Sequence, residues 1–163
     1  MKIKEITAFP IRIPREKSDE GKDRPSVIDY GDYFVDAEVF TSIYSKHHET
    51  TVIKIETDTG IAGWGEAQSP VSPRTTQTIV EDLVRPLILG RDPFDIEAIW
   101  TRNYGAMRER GHPTGFYVDA IGGTDTALWD IVGKATGKPV HKLAGGRYRD
   151  RIKLYVGMGG TDP

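Results

Sequence analysis

The sequence predicts an α+β fold in which a three-stranded antiparallel sheet is followed by a bundle of three helices around one shared core. Two observations predict it. Apolar and polar residues alternate in two stretches before residue 68, and apolar residues recur at steps of three and four residues from Ser72 onward. A length of 163 residues leaves room for one ordinary domain and little more.

Three strands make up the predicted sheet. The first covers Lys2–Ile13, where Pro10 and Pro14 indicate an edge position or an early exit. The second and third, Thr50–Thr57 and Ile61–Ala67, form a predicted hairpin around an Asp-Thr-Gly turn. A sheet of this size has one face to bury.

The connection between the first two strands, Pro14–Glu49, is too long for a plain loop in a compact domain. Its later part alternates from Val35 to Ile43, which predicts one additional strand. Two interpretations stay open: an insertion that packs on its own sheet or on a partner subunit, and a lid over a ligand.

The first predicted helix begins with Ser72 as N-cap and Pro73 at the first helical position. It ends at Gly90, and Pro86 should kink or loosen its last turn. The second helix repeats the cap signal at Asp92, buries a face that starts at Ile96, and closes near Arg110.

The third predicted helix, Ala120–Thr136, buries one stripe and stops at Gly137. Within it, the small residues Gly122, Gly123 and Ala127 would let another backbone approach closely. One short turn, Val140–Leu143, should follow, and then an alternating strand, Ile152–Val156. The three tryptophans, Trp64, Trp100 and Trp129, are predicted core anchors.

Two stretches carry a pattern that is more specific than a fold class. The first has Asp125, Thr126, Ala127, Leu128, Trp129, Asp130, Ile131, Gly133, Lys134, Gly137, Lys138, Pro139, Leu143, Gly145 and Gly146. The second is Gly63–Ala67. Together they resemble the mandelate racemase and muconate lactonizing branch of the enolase superfamily, and the order of elements agrees along the whole chain.

The resemblance implies that residues 1–145 are an enolase N-terminal-like capping domain, with a specificity loop at about residues 14–49. Residues 146–163 would then be the start of a β/α barrel that is otherwise absent from the chain. It implies an Mg²⁺-dependent enzyme that removes the proton next to a carboxylate. Dehydration of an acid sugar is the first expectation, and racemization or cycloisomerization stay open.

In this family the catalytic bases and the Mg²⁺ ligands lie at the ends of later barrel strands, so we expect both beyond Pro163 and assign none here. The expected partners are a small carboxylate substrate, the missing barrel domain and further copies in a homo-oligomer. The competing hypothesis is of another class: an inert fragment or interaction domain whose exposed last strand pairs with another chain.

Five residues are candidates for substrate contact or specificity: Glu66, Gln68, Tyr30, Tyr33 and Met158. Glu66 ends the hairpin where the resembling family's second specificity loop begins, although a plain structural role is the alternative. The two tyrosines could close over a polyol or simply pack half-buried. Met158 follows the predicted barrel strand, and loops after barrel strands form the active face.

Composition excludes several classes of function. A net charge of −2 gives no electrostatic basis for binding nucleic acid or an anionic membrane, and the absence of cysteine excludes disulfides and thiolate metal sites. Without a visible signal peptide or a long apolar run, the cytoplasm is the expected location.

The acidic and histidine residues do not predict a metal site in this chain. Asp125 and Asp130 lie about 140° apart around a helix, so they cannot share one ion. His47 and His48 are adjacent on a strand and point to opposite faces. A helix-cap or surface role is therefore expected for the two aspartates, and no chelate is expected from the two histidines.

Overall fold

The computed structural model describes residues 1–15, 26–37 and 40–154. The strands among these residues are β1 (Ile3–Pro14), β2 (Val27–Asp29), β3 (Tyr33–Asp36), β4 (Phe40–Ser45), β5 (His47–Thr57) and β6 (Ala62–Ala67). The helices are α1 (Pro73–Ile79), a π-helical turn (Val80–Val84), α2 (Arg85–Ile88), α3 (Ile96–Arg108), α4 (Phe116–Thr136) and α5 (Val140–Leu143). Of the helices described, none has the length and apolarity needed to cross a membrane.

The first sheet has three antiparallel strands in the order β1-β5-β6, as predicted. Its inner face carries fully buried side chains such as Ile6, Ile53 and Ile55, which pack against the helices. The turn between β5 and β6 places Gly60 at a φ of 86°, a left-handed conformation that favours glycine. The α+β fold class predicted from the sequence is therefore confirmed.

The long connection between β1 and β5 contains a second antiparallel sheet, in the order β2-β3-β4. The single strand predicted over Val35–Ile43 is wrong, because β3 ends at Asp36 and β4 begins at Phe40, and these two residues pair across the hairpin. The apolar alternation continues on both sides of the reversal, so the pattern alone does not reveal it. Buried Asp36 accepts a hydrogen bond from Ser26 Oγ at 2.8 Å.

The first helical stretch runs without a gap through α1, the π-helical turn and α2. Pro86 lies in the first turn of α2, directly after the wider π turn, which agrees with the predicted loosening near this residue. Ser72 is the N-cap residue and Pro73 opens the helix, as predicted, but the Ser72 side chain makes no capping hydrogen bond. Its backbone is left-handed, with a φ of 53°, and its hydroxyl pairs with Thr75 Oγ1 at 2.9 Å instead of with a backbone N–H.

The second helix, α3, begins later than the sequence indicates. Asp92 does not cap it: Asp92 Oδ1 accepts from the backbone N–H of Phe94 at 3.0 Å and closes a separate turn, and the N-cap position falls on Asp95. The long helix α4 ends where predicted, with Gly137 at a φ of 65°. The short turn α5 also lies where predicted.

The strand β6 and the helix α4 meet backbone to backbone. A Cβ atom added to Gly65 would overlap the carbonyl oxygen of Gly123, and one added to Gly63 would overlap that of Ala127. The close approach predicted at Gly123 and Ala127 is therefore confirmed. It does not involve Gly122, around which an added Cβ meets no atom within 4 Å.

Trp64 is not a core anchor, because 46% of it is exposed. It pairs with Lys54 across β5 and β6, on the face of the sheet opposite to α4, since the glycines on either side of it occupy the helix-facing positions. Its ring lies 6.2 Å from that of Phe9 between centroids. Trp100 and Trp129, in contrast, pack partly buried against the core as predicted.

The predicted barrel strand, Ile152–Val156, lies only partly within the described residues. Residues 151–154 are not in a strand, and Ile152 and Leu154 are 77% and 83% exposed. A strand forms only with a hydrogen-bonding neighbour, and the described residues provide none here. Tyr155 and Val156 lie outside the described residues.

We expect Gly65→Ala to destabilise the chain strongly. The new methyl group would meet the backbone of α4, which cannot rotate away, so the free energy of unfolding should fall by about 3 kcal/mol or more, at the upper end of overpacking costs. Urea unfolding followed by tryptophan fluorescence measures the change.

Gly122→Ala is the matched control for this substitution. It adds the same methyl group one residue from Gly123, in open space, and should stabilise the helix by about 0.5–1 kcal/mol. Equal effects of the two substitutions would contradict backbone-to-backbone packing between β6 and α4.

Candidate functional site

An open groove of about 340 Å³ lies at one end of the first sheet, where β1 and β6 end and β5 begins. Its lining residues are Ile11, Ile13, Arg15, His48, Glu49, Thr50, Glu66, Gln68 and Pro70. Ile11 and Ile13 on β1 contribute apolar side chains, and most of the other lining residues are charged or polar. This composition suits a small polar ligand with an apolar edge.

Two of the predicted substrate-contact residues, Glu66 and Gln68, line this groove together. Both are exposed, and Glu66 Oε1 accepts a hydrogen bond from Thr50 Oγ1 at 2.7 Å, which fixes its orientation across the strands. Glu66 lies on the outward face of β6, because Gly65 and Ala67 face α4, and Gln68 directly follows the end of the strand. A role in ligand contact stays a prediction for both.

The predicted residue Tyr33 lies beside the groove, in a partly exposed polar cluster around the buried carboxylate of Glu49. Its hydroxyl donates to the Glu49 carboxylate at 3.2 Å and accepts from Arg12 Nη2 at 2.9 Å. Arg12 in turn pairs with Glu49 through Nε at 2.6 Å and with Asp32 through Nη1 at 2.6 Å. Tyr33 is therefore half-buried and held in place by ionic partners, and its contact with substrate stays a prediction.

The cluster also reaches the loop after β6. The backbone N–H of Ser72 donates to Glu49 Oε2 at 2.9 Å and lies 3.1 Å from the Tyr33 hydroxyl. Desolvation lowers the pKa of Arg12, but the neighbouring Glu49, Tyr33 and Asp32 more than offset it, and the net shift is upward. Arg12 therefore stays charged at every pH of interest.

The remaining two candidates are not brought into the groove by the described structure. Tyr30 is 60% exposed and does not line it; its backbone N–H donates to the Tyr33 carbonyl at 2.8 Å in the turn between β2 and β3. Met158 lies outside the described residues. A contact of either residue with substrate stays a prediction.

Sequence reasoning missed Glu49, Arg12 and His48. Glu49 carried a signal: it occupies the same register of β5 as the buried residues Thr51 and Ile53, and a carboxylate in an inward register requires a buried partner. His48, one residue earlier, lines the groove from the opposite face of the strand. Arg12 carried no comparable signal, because its partners are distant in sequence.

The helix α4 carries two aspartates with different surroundings. Asp130 Oδ2 accepts from the backbone N–H of Trp64 at 2.8 Å and from Lys134 Nζ at 2.6 Å, so it ties the helix to β6. Asp125 lies at a shallow cleft between α3 and α4, beside Asn103 and Trp100. The two carboxylates therefore have different neighbours: Asp130 contacts β6, and Asp125 lies beside α3.

Three groups in the helix bundle have raised pKa values. Burial raises the pKa of Asp119 and of Tyr117, whose hydroxyl donates to the Asn103 carbonyl at 2.7 Å. Burial also raises the pKa of Asp125, the nearby charge of Glu97 adds to the effect, and a hydrogen bond from Trp129 opposes it. These shifts follow from packing around α4 and lie away from the groove.

The described residues do not fit a Mg²⁺ site. Within residues 1–15, 26–37 and 40–154, no group of three or more His, Cys, Asp or Glu is close enough to hold a metal ion. The carboxylate of Glu49 is already paired with Arg12. The groove can orient a ligand through charge and hydrogen bonds, but we derive no metal-dependent step from it.

A family model and individual known proteins both match this chain. Residues 36–145 match the family model of the mandelate racemase / muconate lactonizing enzyme N-terminal domain. Two proteins named D-galactonate dehydratase, from Pectobacterium atrosepticum and Variovorax paradoxus, are 49% and 46% identical to the chain over 111 residues. Each alignment covers 68% of this chain and 28% of the relative. The chain thus spans less than a third of the curated relatives it matches.

The fold has a similarly good match among solved structures. A protein described as a proposed isomerase, from Sinorhizobium meliloti, superposes with a TM-score of 0.84 and is 43% identical. The superposition covers 93% of this chain and 40% of that protein. The structural likeness therefore extends beyond residues 36–145.

We expect the stability advantage of Asp125→Asn over the wild type to grow as pH rises. Because its pKa is raised in the folded chain, Asp125 keeps its proton above its ordinary value of 3.8, where the unfolded chain has lost it. The folded chain then binds more protons, so the wild-type free energy of unfolding falls with rising pH in that window. Urea unfolding at several values between about pH 4 and about pH 7 measures this difference. Parallel pH profiles for the two proteins would contradict the raised pKa.

Proposed function

The chain belongs to the mandelate racemase/muconate lactonizing enzyme family, whose N-terminal domain model matches residues 36–145, and we propose that it sets substrate specificity in an enzyme of this kind. The reaction we propose is removal of the proton next to a substrate carboxylate, followed by loss of water from an acid sugar. The observation that carries this proposal is the 49% identity over 111 residues to a D-galactonate dehydratase.

The proposed domain division places a capping domain at residues 1–145 and the start of a β/α barrel at residues 146–163. The exposed apolar residues Ile152 and Leu154 support this division, since a first barrel strand must pair with strands that follow it. The barrel is then the main partner of the chain, and we expect the complete enzyme to assemble as a homo-oligomer.

The groove is the proposed contribution of this chain to substrate binding. A polyhydroxy carboxylate offers many hydroxyl groups, and Glu66 and Gln68 offer an acceptor and an amide directed at the same space. His48 and Arg15 add donors on the opposite side. We assign these side chains to recognition of the hydroxyl-bearing end of the substrate, away from the reacting carbon.

The Mg²⁺ ion that the resemblance implies is expected to be held by residues after Pro163, together with the catalytic bases. In an enzyme of this type the ion would stabilise the negative charge that forms next to the carboxylate. The role left to the residues of this chain is to bind and orient the hydroxyl-bearing part of the substrate and to limit the access of water.

Isomerization is the second candidate reaction. It is favoured by the 43% identity to the Sinorhizobium meliloti protein, which is described as a proposed isomerase. Both reactions begin with loss of the same proton, and they differ in whether water leaves or a proton returns.

We expect the polypeptide that continues beyond Pro163 into the barrel to dehydrate acid sugars such as galactonate in the presence of Mg²⁺. The assay is mass spectrometry of the products in deuterated water. Loss of water supports dehydration, whereas deuterium at the carbon next to the carboxylate without loss of water supports isomerization. Absence of both from a panel of acid sugars would refute the proposed function.

We expect Glu66→Ala to lower kcat/KM for the acid sugar about tenfold or more, because a charged hydrogen-bond acceptor for substrate hydroxyls is lost. Steady-state kinetics of the complete enzyme measures the effect. Glu56→Ala is the matched control: it removes an exposed carboxylate that pairs with Lys54 at 3.0 Å on β5 and does not line the groove. Equal kcat/KM for the wild type and Glu66→Ala would remove Glu66 from the site.

A further inference from the structure

We propose that Glu49 is a positioning residue that couples the two segments carrying the specificity residues, the hairpin β2-β3-β4 and the loop from Gln68 to Ser72. This inference rests on the proposed function, because it assigns those segments to substrate recognition. Glu49 itself does not contact the reacting atoms, and its buried carboxylate does not contact the substrate.

The carboxylate of Glu49 is fully surrounded by ionic and hydrogen-bonding partners. Its side chain is 0% exposed, and each carboxylate oxygen has a close partner: Arg12 Nε at 2.6 Å on one oxygen and the Ser72 N–H at 2.9 Å on the other. The Tyr33 hydroxyl lies 3.3 Å and 3.2 Å from the two oxygens. A buried charge that loses one such partner is strongly destabilised, so the partners hold one common arrangement.

The partners of Glu49 come from three separate segments of the chain. Arg12 lies on β1, Tyr33 on the hairpin, and Ser72 at the end of the loop after β6. No two of these segments are adjacent in sequence, yet one carboxylate contacts all three. A displacement of the hairpin therefore changes the surroundings of the loop.

Ser72 adopts an unusual backbone conformation. Among the described residues it is the only non-glycine residue with a positive φ, at 53°. This conformation is unfavourable for a side chain and persists only where the surroundings enforce it. The bond from its N–H to Glu49 contributes to that constraint and holds one end of the loop whose other end, Gln68, lines the groove.

The hairpin β2-β3-β4 is also attached to Arg12, the ionic partner of Glu49. Asp32 pairs with Arg12 through Nη1 at 2.6 Å, and the Asp32 carbonyl accepts from the backbone N–H of Lys46 at 2.9 Å. The Lys46 ammonium group pairs with Asp29 at 2.6 Å across the hairpin. Arg12 thus transmits the position of Glu49 to the end of the hairpin.

The test is amide hydrogen exchange in the 163-residue chain, followed residue by residue by NMR. Glu49→Gln keeps the shape of the side chain and removes its charge. We expect exchange at Ser72 and Lys46 to accelerate about tenfold or more, as loss of a charge-assisted hydrogen bond implies, while exchange at Ile55 in the sheet core stays unchanged. Glu56→Gln, on the same strand, is the control and should leave both amides unaffected.

A second variant keeps the test valid if Glu49→Gln fails to fold. Asp32→Asn removes the charge that pairs the hairpin with Arg12, and coupling predicts about threefold faster exchange at Ser72, which lies on the other segment and bonds to Glu49 and Tyr33. Acceleration confined to the hairpin in Asp32→Asn would overturn the proposal. So would uniform acceleration at Ser72, Lys46 and Ile55 in Glu49→Gln, because that result indicates general destabilisation.

Kinetics of the complete enzyme separates this proposal from the proposed function. If acid sugars are turned over, Glu49→Gln should raise KM about tenfold with kcat changed less than threefold, since binding segments and not reacting groups are displaced. An unchanged KM would overturn the positioning role. Lack of turnover by the wild type would refute the proposed function, whereas the exchange rates test the coupling directly.

Discussion

The contact on which this fold depends is the meeting of β6 and α4 without intervening side chains. Gly63 and Gly65 leave room for the backbone of Gly123 and Ala127, so the strand lies directly on the helix. The alternation of β6 then forces Trp64 and Glu66 onto the opposite face of the sheet. The packing of the core thus determines on which face the groove forms.

The second determinant is a charge buried in the inward register of β5. The inward side chains change along this strand from Ile55 and Ile53 to Thr51 and then Glu49. Thr51 Oγ1 already donates to the Pro73 carbonyl at 3.0 Å, and Glu49 needs ionic partners. The apolar core therefore gives way to a polar end, and the loops that border the groove attach to that end.

The features that the sequence predicts are those with a local cause. Alternation predicts the first sheet, the recurrence of apolar residues predicts the helices, and Gly137 predicts the end of α4. The second sheet was not predicted as such, because the alternation of apolar and polar residues continues on both sides of the reversal between β3 and β4. The Glu49 cluster was not predicted, because its members are distant in sequence and come together only in the folded chain. Glu66 and Gln68 were found through the family resemblance, and their shared groove became visible only in three dimensions.

The separation of inward and outward positions also separates the groove from the core. The outward side chains of β6, Trp64 and Glu66, lie on the face of the sheet opposite to α4, whereas Gly65 cannot change without moving the helix. Surface substitutions away from packed features usually cost little stability, and overpacking costs much. If Glu66 and Gln68 contact the substrate as proposed, substitutions at these residues can therefore change substrate preference with little effect on the core. A change at Glu49 has no such freedom, because it alters the attachment of both segments that border the groove.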